Sequence, residues 1–101
     1  MHDEDLAKGI TKTFLDDTSR QIETMRRHLD VPDAESFANL AHSIKGASAN
    51  VGGEALRALA FEVEKAARAG DLISAAYRMD DLESEFARLK DAMTSPYPQH
   101  Y

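Results

Sequence analysis

The sequence contains no cysteine and no tryptophan. The first absence excludes a disulfide scaffold, a thiolate zinc site and cysteine catalysis together. Aromatic residues make up only 7% of 101 positions, so the core must be aliphatic and alanine-based. Three prolines and five glycines exclude collagen-like and low-complexity classes. No apolar run approaches the roughly 18 to 20 residues of a membrane span. The opening MHDEDLAKGI lacks the basic-then-apolar pattern of a secretory signal. Basic residues are the scarcer charge: 12 Lys and Arg face 18 Asp and Glu, for a net charge of −6. Binding to phosphate backbones calls for clustered Lys and Arg, so nucleic acid is excluded as the main partner. The expectation is a small acidic domain of the cytoplasm with no membrane association. It is too short to hold an ATP-binding fold beside anything else.

What the sequence has in abundance is helical spacing. Leu6, Ile10, Phe14, Ile22, Met25 and Leu29 form one stripe, weakened across Asp16-Asp17-Thr18-Ser19. This predicts one long helix over about residues 4–29, or two shorter ones meeting at that weak point. Asp30-Val31-Pro32-Asp33 is a turn, with Asp33 as the next N-cap. A second helix follows over about 34–51 on Phe37, Leu40, Ala41, Ile44, Ala47 and Val51, and Gly52-Gly53 stops it. A third runs over about 54–69 on Leu56, Leu59, Ala60, Val63 and Ala67. Gly70 ends it and Asp71 caps a fourth, over about 72–93. No strand pattern and no repeat is present. The expected fold is all-α, an antiparallel up-and-down four-helix bundle over residues 1–93, followed by a flexible tail at 94–101.

The second helix breaks the usual rule for an outward face. With Ile44 at zero on a wheel of about 100° per residue, Phe37, Leu40, Ala41, Ala47, Ser48 and Val51 fall within roughly 60°. His42 falls at about 160°, with Ala38, Lys45, Gly46 and Ala49 around it. A solvated face should carry long polar helix formers. This one carries small residues about a single imidazole, and Gly46 sits mid-helix at a cost of roughly 1 kcal/mol relative to alanine. A local rule broken without a stabilising return points to function. The imidazole offers a nucleophilic nitrogen. Lys45 is placed to balance an anion, and Gly46 leaves room for it and for a partner's backbone. These are the parts for accepting a phosphoryl group on histidine. With no nucleotide loop and no kinase signature, the group must come from another protein.

The stretch Ala41-His42-Ser43-Ile44-Lys45-Gly46, followed by Ala47-Ser48, Asn50, Gly52, Leu56 and Gly70-Asp71, resembles the histidine-containing phosphotransfer (HPt) domains of two-component phosphorelays. The motif covers about a third of the chain, and the flanking helices suit that family's bundle. The resemblance implies a phosphocarrier with no kinase activity of its own. It assigns His42 as phosphoacceptor, Lys45 as the lysine near the phosphate and Gly46 as the residue giving partners access. It also implies as partner the aspartate of a response-regulator receiver domain or a hybrid histidine kinase. No cofactor is implied for this chain, since the Mg²⁺ of that chemistry belongs to the receiver. Val63-Glu64 stands where many members have leucine-glutamate.

Ser48, at the core edge, serves either a carbonyl back-bond or a phosphate contact. Gly52, Gly70 and Asp71 are structural caps. His2, His28 and His100 are scattered, and no ligand pair accompanies His42 to make a metal site. Ala38, Ala49 and outward residues of the first helix are the candidates for an apolar docking patch. The acidity is expected on solvated faces, leaving the His42 face with a lysine and no nearby acid. The alternative function is a non-catalytic helical adaptor that binds a receiver or kinase. Met1 and the tail suggest a free-standing module, with a domain excised from a longer protein as the other reading.

Overall fold

The computed structural model describes residues 3–95, with side chains from Lys8 onward. Leu6 as a side chain, His2, His100 and tail residues 96–101 lie outside the described residues, whereas Thr94 belongs to the last helix. The helices are α1 (Asp3–Asp30), α2 (Ala34–Asn50), α3 (Glu54–Arg68), α4 (Leu72–Tyr77) and α5 (Met79–Thr94). No strand occurs among the described residues. The architecture is the expected helical bundle, and α4 and α5 together form its fourth rod.

The helix ends follow from short-range chemistry. Asp33 Oδ1 accepts from Ser36 N at 3.1 Å and Asp71 Oδ1 accepts from Ser74 N at 3.0 Å, each satisfying a free amide of a first turn. Gly52 and Gly70 take φ of 75° and 79°, the left-handed region that favours glycine. At both, paired amide bonds close the preceding helix. Gly52 N and Gly53 N donate to Ala49 O and Ser48 O; Gly70 N and Asp71 N donate to Ala67 O and Ala66 O. This is the Schellman arrangement, which satisfies the last carbonyls of α2 and α3.

The first helix is the single long one the stripe predicts: it runs unbroken through Asp16–Ser19, where Thr18 is buried and bridges the two halves of the stripe. One expectation changes at the level of whole helices. The fourth segment is interrupted once, at Arg78, whose amide bonds Ala75 O in a tighter turn.

The core joins Phe14, Ile22 and Met25 of α1 with Phe37, Ala41 and Ile44 of α2. Leu56, Ala60 and Val63 of α3 and Met79, Leu82 and Leu89 of α5 complete it. Phe14 and Phe86 meet edge to face at 6.4 Å. Arg26 ties α1 to α5 through Asp80 and Glu83, each at 2.8 Å. Helix α1, at 28 residues, is far longer than its 17-residue neighbour α2. Around Ile10, one turn before the buried Phe14, the helix outruns its cover, and that side chain, expected in the core stripe, is 55% exposed.

Candidate functional site

The most extensive packing in the bundle is between α2 and α3, and the site lies along that seam. His42 stands on the outer side of α2, its side chain 63% exposed. Its Nδ1 lies 2.9 Å from Glu64 Oε2 of α3. Lys45 Nζ, one turn along, donates to Glu64 Oε1 at 2.7 Å. Arg68 Nη2 donates to Glu64 Oε2 at 3.3 Å and to Asn39 Oδ1 of α2 at 3.1 Å. Lys45 also lies 5.0 Å from the centre of the Phe61 ring, whose other visitor is Lys65 at 4.6 Å.

The expectation of a face with no nearby acid is therefore overturned. Glu64 is only 8% exposed and sits at the centre of the site. A wheel drawn for α2 alone cannot show a carboxylate delivered by α3. The signal was present in α3 itself, where Glu64 falls only about 40° beyond Ala60 at the edge of that helix's apolar arc. A charge so close to a buried stripe needs partners.

Ala38, expected on the outward pad, is fully buried for the same reason. Helix α3 packs against that flank of α2, so the covered arc is wider than one stripe. Alanine at 38 admits α3, and so the Glu64 carboxylate, rather than a partner protein. Ala49 does lie on the exposed side.

Gly46 is where the sequence placed it. It is exposed, and a Cβ built there would meet nothing within 4 Å. No packing demand within the bundle explains it. Ser48 is buried and donates to Ile44 O at 2.6 Å, so it serves the back-bond and not the site. Among the described residues no group of three or more His, Asp or Glu side chains is arranged to hold a metal ion.

The proton positions follow from Glu64. Burial pushes its pKa up, but hydrogen bonds from Lys45 and His42, together with their charges, outweigh that and hold it below the ordinary 4.5. At neutral pH it is a carboxylate and can only accept. Nδ1 of His42 must then carry the hydrogen, which leaves the lone pair of the neutral ring on the outward Nε2.

A pH dependence follows. A carboxylate whose pKa is lower in the folded state contributes stability that is present above the unfolded value and is lost as pH falls through the folded one. Glu64 behaves in this way from 4.5, and the caps Asp33 and Asp71 from 3.8, held down by their hydrogen bonds from Ser36 and Ser74. The thermal midpoint should be level near neutrality and decline once the pH drops below about 4.5. Glu64→Gln should remove part of that decline. A midpoint that rose on acidification would contradict the placement of all three groups.

On the α1 side of α2 a groove of about 760 Å³ runs between the two helices, walled by Ile10, Phe14, Ala47 and Val51. Gln21 Nε2 donates to Ser43 Oγ across its rim at 3.0 Å, one residue from His42.

The sequence model of the Hpt domain family matches residues 9–92. The chain belongs to the Hpt domain family, whose members are helical phosphocarriers of two-component signalling and not kinases. No curated protein and no solved structure matches it. No helix among the described residues is long and apolar enough to cross a membrane.

Proposed function

We propose that this chain relays a phosphoryl group between His42 and the aspartate of a response-regulator receiver domain. One observation carries the reading: an exposed imidazole held through Nδ1 by a nearly buried carboxylate, so that the unprotonated nitrogen faces solvent. In the transfer, the Nε2 lone pair attacks phosphorus in line and the P–O bond to the receiver's aspartate breaks. The aspartate departs as carboxylate, and a P–N bond replaces the P–O bond. No proton leaves Nε2, because none is there. The hydrogen stays on Nδ1, donated to the Glu64 carboxylate, whose negative charge offsets the positive charge that develops on the ring. Lys45 supplies a mobile cation for the phosphoryl oxygens. The reverse path returns the group to a receiver.

The one carboxylate at the site already serves Lys45, His42 and Arg68. It offers no free set of oxygens for Mg²⁺, so that ion is assigned to the receiver. The apolar groove between α1 and α2 reaches Ser43, the residue after His42, and suits a receiver's apolar contact surface. Ile10 and Ala49 replace Ala38 in the docking patch.

The test mixes the protein with a phosphorylated receiver and looks for acid-labile, base-stable phosphate on His42. Complex formation with no such phosphate would favour the adaptor reading. The role of Gly46 is tested separately. Gly46→Gln should raise helix stability by about 0.5 kcal/mol, since the position is mid-helix and unobstructed. It should slow transfer from a receiver while sparing loading by phosphoramidate, a small phosphoryl donor that needs no docking. Equal receiver-dependent rates in variant and parent would refute the access role.

A further inference from the structure

Glu64 has more positive partners than a resting histidine requires. Lys45 occupies Oε1, while Oε2 is shared by His42 Nδ1 and the Arg68 guanidinium. Arg68 comes from the last turn of α3 and reaches Asn39, three residues before His42 on α2. It thus spans both helices of the site. Its side chain is 46% exposed, so its ion pair adds little to stability. Its placement calls for another account.

That account comes from the charge that transfer would bring. A phosphoryl group adds about two negative charges. Lys45 is the cation suited to follow it, being a point charge on a flexible stem. When Lys45 turns away, Glu64 loses the partner of Oε1 while remaining nearly buried. A buried carboxylate stripped of its counter-charge takes up a proton. It would then release its hold on the Nδ1 hydrogen.

We propose that Arg68 is a positioning residue: it keeps the Glu64 carboxylate ionised and aimed at His42 Nδ1 while Lys45 serves the phosphoryl group. The inference rests on the transfer proposed at His42. Two cations on one carboxylate then divide the work, the lysine moving and the arginine staying. The planar guanidinium bonded to both Glu64 and Asn39 suits the fixed part.

The test uses Arg68→Ala and Lys45→Met singly and together, with Arg68→Lys and Glu64→Gln alongside, and circular dichroism to confirm folding. Nitrogen-15 spectra of the His42 ring report which nitrogen carries the hydrogen, and phosphoramidate loads His42 without any receiver. Each single change should move the ring hydrogen and the loading rate modestly. The pair should release Nδ1 and slow loading about tenfold beyond the product of the singles. Arg68→Lys should recover part of the loss.

Strictly multiplicative effects would overturn the role of Arg68. A ring hydrogen unmoved by Glu64→Gln would overturn it as well, by showing that the carboxylate has no hold on the ring. Loading by phosphoramidate with none from a phosphorylated receiver would instead sink the relay, leaving the assignment of Arg68 standing.

Discussion

His42→Gln folds like the parent and accepts no phosphoryl group: that is the expected result with the largest functional effect. The side chain is 63% exposed and belongs to no part of the core. Its loss should therefore change stability by no more than about 0.5 kcal/mol. Glutamine keeps the length and an N–H that can reach Glu64, so the surroundings are disturbed little. What it lacks is a nucleophilic ring nitrogen, and nothing else exposed at the site supplies one. Lys45 is engaged by Glu64 and the Phe61 face. The measurement is phosphate retained after exposure to a phosphorylated receiver, read beside the circular dichroism spectrum. Acid-labile phosphate on the variant would remove His42 as the acceptor.

Phe37→Ala should produce the largest loss of stability. Phe37 is fully buried and is the largest of the fully buried side chains. Truncating such a residue to alanine costs about 3–5 kcal/mol, the lost transfer energy plus the cavity left behind. A domain of this size has about 5–15 kcal/mol in all. The variant should unfold at a much lower urea concentration and sit near its transition at body temperature. Phe37 lies in the first turns of α2, so its loss loosens the seating of the helix that carries His42. A destabilisation below about 1.5 kcal/mol would mean that this position is not central to the core.

Much of this structure was legible in the sequence, and what was legible shares a cause. Asp33, Gly52, Gly70 and Asp71 act on neighbours within a few residues, so their spacing sets the helix ends directly. His42, Lys45 and Gly46 lie within five residues on one helix, so a single wheel places them on one side. Glu64, Arg68 and Phe61 come from another helix. Their relation to His42 depends on how α3 is rotated and how closely it approaches, which α2 does not encode. The misplacement of Ala38 is the same gap seen from the other side. A wheel assumes one buried stripe, and α2 is covered on more than one flank. Ile10 erred for a reason of length, since periodicity continues along α1 past the point where other helices cover it.

The alanines buried along the α2–α3 seam bear on how this protein tolerates change. Ala38 and Ala41 on one helix and Ala60 and Ala67 on the other are all at most 2% exposed. A larger residue at any of them would cost about 1–3 kcal/mol of overpacking, which a bundle can survive. The same change would push the two backbones apart. A hydrogen bond of 2.9 Å between His42 and Glu64 survives a separation of only a few tenths of an ångström. Drift at these four positions could therefore leave a folded, soluble bundle whose histidine has lost its orientation. A sequence that keeps His42, Lys45 and Gly46 but enlarges those alanines would still read as a carrier while having become an inert relative of one.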